Sequence, residues 1–244
     1  MRALIAALAI VLASSAGAQT LDKPDAVPLT TTPPTVGAID VKPGDHWSYE
    51  VRDAGGAEVK ATADYLVSDV RDGEIAVQLK IVDAVTKAET TGLSTYDGNW
   101  RRLSAAKARI VKNEPTWGIP DDLAIGKAWT YDYEVRGGDG NHLRYEWSGH
   151  GEVLGWEKLT LPSGISYDCF KIVYKESSLP PPVSTISFVS IGEPSYAKVD
   201  ATIDEWYAPA VNRYVKRTYE TRRDGRTVST ETEVLVKFER AAKE

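Results

Sequence analysis

Gly44-Asp-His-Trp47-Ser-Tyr49-Glu50 returns later in the chain as Gly126-Lys-Ala-Trp129-Thr-Tyr131-Asp132. The Gly, the Trp and the Tyr keep the same offsets in both copies. Each copy is a turn glycine followed by large residues at every second position, the pattern of a strand that buries one face. A spacing of about 80 residues is too long for a solenoid repeat. The two phrases therefore read as the openings of two related half-sheets, over residues 44–122 and 123–240.

Working outward, the chain reads as a series of hairpins. Trp47, Tyr49 and Val51 alternate before Gly55-Gly56, and Val59, Ala61, Ala63, Tyr65 and Val67 continue the alternation. Asp72-Gly73, Asp97-Gly98 and Asp224-Gly225 are turn pairs of the kind that tolerates positive φ. Leu161-Pro-Ser-Gly164 is a further turn. Val228, Thr230, Thr232, Val234, Val236 and Phe238 fall on one face of the last strand. Residues 105–112 fit a short helix, although Ile110 and Val111 also suit a strand. Residues 177–196, with Pro180-Pro181-Pro182 and Pro194, are the least regular stretch and read equally as a lid or as a connection. With almost no 3.6-residue periodicity elsewhere, the expected class is all-β with little helix: an antiparallel sheet of two half-sheets bent around an apolar face.

The N-terminus has the form of an export signal. Arg2 precedes an apolar run from Ala3 to Ala13, and Ala16-Gly17-Ala18 supplies small residues for cleavage. The run is shorter than the ~20 residues a bilayer span needs. Residues 1–18 are thus expected as a signal peptide, 19–43 as a Pro/Thr-rich tether and 44–240 as a single β domain, in the periplasm or secreted. The net charge of −6 excludes a general nucleic-acid binder, which would be basic. Cys169 is the only cysteine, so no intramolecular disulfide can form, and its strand-like setting predicts a buried thiol.

Three phrases resemble the TapB-like family, an uncharacterised group of secreted bacterial proteins. They are Gly126-x-x-Trp129-Thr-Tyr131, then Leu161-Pro-Ser-Gly164 with Tyr167-Asp-Cys169-Phe-Lys171, and Glu205-Trp206-Tyr207-Ala208-Pro209-Ala210-Val211. Ala210 and Asn212 stand where the group has glycines, and Ser163 where it has alanine. Asn212 is then the residue left to supply a positive-φ turn. The resemblance covers roughly residues 123–239. It implies an exported antiparallel β fold, a curved half-barrel like the periplasmic lipoprotein carriers. It implies no reaction.

The sequence carries no recognisable catalytic set. His46, His142 and His150 are the only histidines, and no G-x-S-x-G elbow accompanies them. Their spacing, with Glu152, matches no zinc signature. No phosphate loop or dinucleotide fingerprint occurs, so no cofactor is expected. Asp204-Glu205 is the most suggestive acidic pair, but neighbours on a strand point to opposite faces. The aromatic balance is more telling: seven Trp and twelve Tyr against three Phe. Tyr and Trp join an apolar body to a polar tip, which suits grooves and interfaces. Trp147, Trp156, Trp206 and Tyr207 are the candidate ligand contacts, with Trp117 undecided and Trp47 and Trp129 assigned to the core. The leading expectation is non-enzymatic binding in the cell envelope of a lipid, a glycan or a protein segment, the last by addition at a sheet edge. The alternatives are an envelope hydrolase or glycan-processing enzyme whose site forms only in the fold, and a structural interaction protein.

Overall fold

Both copies of the opening phrase begin with the same turn. The Asp45 amide donates to the Lys42 carbonyl, and the Lys127 amide to the Ala124 carbonyl, each at 3.0 Å. Gly44 and Gly126 hold φ values of 95° and 80°, where a side chain would be strained. Each glycine then donates to the strand beside it, Gly44 to Val67 at 2.8 Å and Gly126 to Val153 at 2.9 Å. Val67 and Val153 donate back to Asp45 and Lys127. The repeated phrase is one piece of structure used twice.

The structure, a computed structural model, describes residues 26–37, 39–105, 108–113, 118–137, 144–179 and 198–242. After a short β1 (Ala26–Pro28), the first turn leads into β2 (His46–Asp53), β3 (Val59–Arg71), β4 (Glu74–Asp83), β5 (Glu89–Asp97), β6 (Arg102–Ala105) and β7 (Ala108–Asn113). The second leads into β8 (Ala128–Gly137), β9 (Arg144–Thr160), β10 (Ser166–Leu179), β11 (Val199–Ala208), β12 (Arg213–Arg223) and β13 (Arg226–Glu239). Six strands thus follow each turn. All pairings are antiparallel, in the order β1-β9-β10-β11-β12-β13-β2-β3-β4-β5-β6-β7-β8, with β8 also pairing β9. Among the described residues, this leaves β1 as the one strand with a single neighbour. Of the stretch 105–112, the described residues, Ala105 and 108–112, are extended, in β6 and β7, and not helical.

The core lies on one face, and the sheet wraps around it. Tyr96 at β5 and Tyr207 at β11 are six strands apart in the pairing order. On a flat sheet they would lie about 30 Å apart at ~4.8 Å per strand. Here they line the same cavity. Trp47 and Tyr49 of β2 are fully buried on this face. Their polar tips are satisfied where β11 turns into β12: Trp47 Nε1 donates to the Val211 carbonyl of the turn at 2.9 Å and Tyr49 OH to the Tyr214 carbonyl of β12 at 2.7 Å. In the second half, Tyr131 and Trp129 lie over Gly149 and Gly151 of β9. A Cβ at those glycines would come within 2.3 and 2.4 Å of the rings, so the bare backbone is what lets the rings lie flat.

The turn chemistry follows the sequence with two differences. Asp72-Gly73 and Asp224-Gly225 both have positive φ at each residue, and Asn212 supplies the left-handed residue at φ 53°. Asp97-Gly98 instead opens a longer loop. Asp97 Oδ1 accepts from the Asn99 and Arg101 amides, each at 2.9 Å, and Trp100 takes the positive φ. On β13 a bulge between Leu235 and Lys237 breaks the expected single face. Phe238 is thereby turned to the inner face, where it stacks on Trp47 at 5.6 Å, while Val236 is exposed.

The segment expected as a tether is laid against the sheet from Ala26 onward. β1 pairs with the end of β9, and Ala26, Leu29, Val36 and Ile39 pack on the core beside buried Val41. Residues 180–197, which hold most of the stretch 177–196 read equally as a lid or a connection, lie outside the described residues.

Candidate functional site

The interior is apolar at its ends and charged at its centre. The reason is a second bulge. Trp206 pairs with Lys216 and Tyr207 with Tyr214, so Val215 is an extra residue on β12. Tyr214, Arg217 and Tyr219 then share the inner face with Tyr207, Glu205 and Ile203 of β11. On β13, Leu235 faces Tyr49 directly, which puts Glu233 two residues earlier on the inner face as well.

These residues form one network. Arg217 donates to Glu233 Oε2 through Nη2 at 2.8 Å and Nε at 3.2 Å, and its Nη1 lies 3.7 Å from Glu205 Oε2. Tyr214 OH donates to Glu233 at 2.8 Å, and Tyr65 OH reaches it at 3.3 Å. A second centre sits towards β8 and β10, where Glu176 accepts from Tyr131 at 2.8 Å and Tyr133 at 3.3 Å. Burial raises the Glu205 carboxyl above its ordinary range against the pull of Arg217 and Arg213. Burial works against Glu233 too, but the Arg217 charge and the hydrogen bonds of Arg217 and Tyr214 outweigh it and hold this carboxyl low.

Arg213 is the exception in the network. It is 5% exposed, and its guanidinium lies over four rings: Tyr65 at 4.3 Å, Trp100 at 4.8 Å, Tyr214 at 5.1 Å and Trp47 at 5.3 Å. The nearby carboxylates Glu205 and Glu233 both pair with Arg217. The Nε of Arg213 has no hydrogen-bond partner among the described residues, and neither does the hydroxyl of Tyr207, which is 1% exposed. Burial keeps the Tyr207 phenol protonated. Both residues line a cavity of about 30 Å³, with Tyr96, Trp100, Tyr174, Gly118 and Ile119 among its other walls. Tyr96 behaves unlike its neighbours. Burial alone would raise its phenol, but the charges of Arg102 and Arg213 bring it down to about 8. Arg102, Arg217 and Glu205 complete the charged lining, so the cavity offers donors, chiefly the Arg213 guanidinium and the Tyr207 phenol, framed by aromatic rings. A larger hollow of about 510 Å³ lies between the β2–β3, β4–β5 and β12–β13 turns. Several polar groups there have local partners: Lys60 pairs with Asp53, Asp83 caps the Val85 and Thr86 amides, and Arg52 pairs with Glu50, although its buried Nε has no partner among the described residues.

The four candidate contacts do not converge. Trp147 stacks on Tyr133 at 6.1 Å, and Trp156 meets Phe170 at 4.7 Å about 30 Å further along β9, at ~3.3 Å per residue. Trp206 is on the outer face. Its Nε1 donates to Glu157 at 2.7 Å and its ring is flanked by Lys171 at 5.2 Å and Lys216 at 5.1 Å. Tyr207 alone of the four lines the cavity. Trp117 and His142 lie outside the described residues. His46 bonds to Asp64 and Glu239, and His150 is exposed. Cys169 is fully buried, and burial pushes its thiol well up, as expected of an inert packing residue. Among the described residues no cluster of His, Cys, Asp and Glu could hold a metal ion. The sequence singled out Glu205 only with Asp204; its set with Arg213, Arg217 and Glu233 was missed. The available signal was the run of tyrosines, Tyr207, Tyr214 and Tyr219, on the strands that carry Glu205, Arg213 and Arg217.

No family model and no curated protein matches this chain. Solved structures do. It is similar to a candidate exported protein with a YmcC-like fold from Bacteroides fragilis NCTC 9343, at a TM-score of 0.52 and 15% identity, over 84% of this chain and 100% of that one. It is also similar to a candidate lipoprotein from Parabacteroides distasonis ATCC 8503, at a TM-score of 0.50 and 14% identity, over 84% of this chain and 98% of that one. At such identities the likeness is one of architecture: the antiparallel meander described above is shared with the YmcC-like fold.

Proposed function

We propose that this is an exported cell-envelope protein that binds an amphipathic ligand without transforming it, and that the Arg213 cavity is where binding is centred. The signal-like residues 1–18 support export, and so do the candidate exported protein and lipoprotein that share the fold. Among the described residues, no helix is long and apolar enough to cross a membrane. The left-handed φ of Asn212 supports the TapB-like resemblance, because it fills the place of a glycine in the third phrase. The observation that carries the binding reading is the unpaired, buried guanidinium of Arg213. The four ring faces over it offset part of its burial cost at ~0.5–2 kcal/mol each, but they give its N–H edge no hydrogen-bond acceptor. A site that keeps such a group is built for a partner that comes from outside the chain. Of the four aromatic candidates, Tyr207 is the one we assign to the ligand.

One observation favours an enzymatic alternative. Glu205 and Glu233 meet at Arg217 with their carboxyls pushed in opposite directions, which is how acid–base pairs are set up. Two facts weigh against it. Glu233 is occupied by Arg217, Tyr214 and Tyr65, and a cavity of about 30 Å³ has room for only about two waters. That volume takes an end group and excludes a sugar ring.

Native mass spectrometry of the protein, purified without detergent from the envelope fraction of its own host, tests the proposal. The expected result is a reproducible mass excess that is lost on denaturation. A clean apo mass overturns the binding reading.

A further inference from the structure

The ligand's chemical class can be argued from the same cavity, and this step rests on the binding reading above. We propose that the cavity between β5, β11 and β12 receives a single carboxylate group, held by the guanidinium of Arg213 and the hydroxyl of Tyr207. Three features select that class.

The donors come first. Arg213 Nε and Tyr207 OH are both buried, both without partners among the described residues, and both line one cavity. A guanidinium presents parallel N–H groups along its edge, and a carboxylate accepts them two at a time. The rings over Arg213 cover the faces of the guanidinium, so its edge is what remains for a ligand. Size comes second. A volume of about 30 Å³ fits a flat three-atom head group, with the rest of the molecule outside. Charge comes third. Three guanidiniums line the cavity: Arg217 is matched by Glu233 and Glu205, Arg102 lies over the Tyr96 ring, and the edge of Arg213 is left for a ligand. Glu205 also lines the cavity and repels a second negative charge. A flat monoanion matches that one edge and the small volume, where a tetrahedral phosphate does not fit. The tail of the ligand would meet Trp100 and Ile119, which are apolar cavity walls.

The test uses the mature protein and three probes: acetate, octanoate and inorganic phosphate. Binding is read from the side-chain Nε–H resonance of Arg213 by nitrogen NMR and by calorimetry. Saturable shifts with both carboxylates are expected, tighter for octanoate. Arg213→Lys should weaken binding at least tenfold, because it keeps the charge but loses the planar fork. Tyr207→Phe should weaken it several-fold. Near-ultraviolet circular dichroism of both variants checks that the core is intact. Phosphate binding as tightly as the carboxylates overturns the assignment to a carboxylate. So does the absence of any Nε–H shift with acetate or octanoate. If a mass excess is found in the native protein and persists unchanged in Arg213→Lys, binding stands, but at another place, and this inference fails alone.

Discussion

Replacing Glu233 by Gln should destabilise the protein more than any surface charge change. The side chain is 12% exposed and accepts hydrogen bonds from Arg217, Tyr214 and Tyr65. Gln keeps the shape and removes the charge. Arg217, at 7% exposed, is then left with Glu205 at 3.7 Å as its only acidic partner among the described residues. Removing one partner of a buried ion pair typically costs ~3–5 kcal/mol, because the other charge stays buried. In a domain of this size each kcal/mol lowers the midpoint by ~2–4 °C, so the melting temperature should fall by about 10 °C. Urea unfolding gives the free energy directly. The comparison is Asp168→Asn, which breaks the exposed pair with Lys158, whose side chains are 50% and 49% exposed. That change should cost under ~1 kcal/mol. The double replacement Arg217→Met with Glu233→Leu should cost less than the sum of its parts, since the stranded charge goes with its partner. The pH dependence has a definite sign. Glu233 is held below its ordinary pKa of 4.5, so its contribution is complete above that pH and fades as the pH drops through its lower folded value. A Glu233→Gln cost equal to that of Asp168→Asn would refute the claim that this network is buried and coupled.

Other consequences are local. Gly151→Ala should cost ~1–3 kcal/mol by urea unfolding, because its Cβ would sit 2.4 Å from the Trp129 ring, whereas Gly155→Ala meets nothing within 4 Å and should be nearly neutral. Asn212→Ala should cost ~1–2 kcal/mol through its φ of 53° and its lost bond to the Asp40 carbonyl at 2.8 Å, and Asn212→Gly should restore much of that. In an absorbance titration of the folded protein, the Tyr96 phenol should ionise near pH 8, and this step should vanish in Tyr96→Phe. Because that value lies below the ordinary 10.0, the ionisation adds stability that is complete above pH 10 and is lost as the pH falls through about 8. No step near 8 would mean that Arg102 and Arg213 do not act on this ring as described.

The class, the hairpins and the repeated turn were legible because they rest on local rules. Alternation marks a strand with one buried face, Asp-Gly marks a two-residue turn, and Gly44 and Gly126 mark the same hydrogen-bonded corner. The site was not legible, for two physical reasons. First, bulges shift parity without a sequence signature. Val215 and Val236 each slip a strand by one residue, which moves Arg217 and Phe238 onto faces that strict alternation assigns elsewhere. Second, charged residues are read as solvated unless paired, and the pairing of Arg217 with Glu205 and Glu233 joins three neighbouring strands in a register that only the folded sheet sets. The aromatic excess did point inward, but it located rings and not the polar atoms they enclose. Trp206 shows the converse: its ring is buried on the outer face by flanking lysine stems, which a count of tryptophans cannot distinguish from a groove.

The central claim is that Arg213 is kept unpaired by the chain in order to meet an acceptor from outside it. The most direct measurement is a high-resolution crystal structure of the protein purified from its own host. The account predicts planar density in the cavity, within hydrogen-bond distance of both the Arg213 guanidinium and the Tyr207 hydroxyl. A guanidinium of Arg213 turned onto Glu205 or Glu233, with no room left between it and Tyr207, would contradict it.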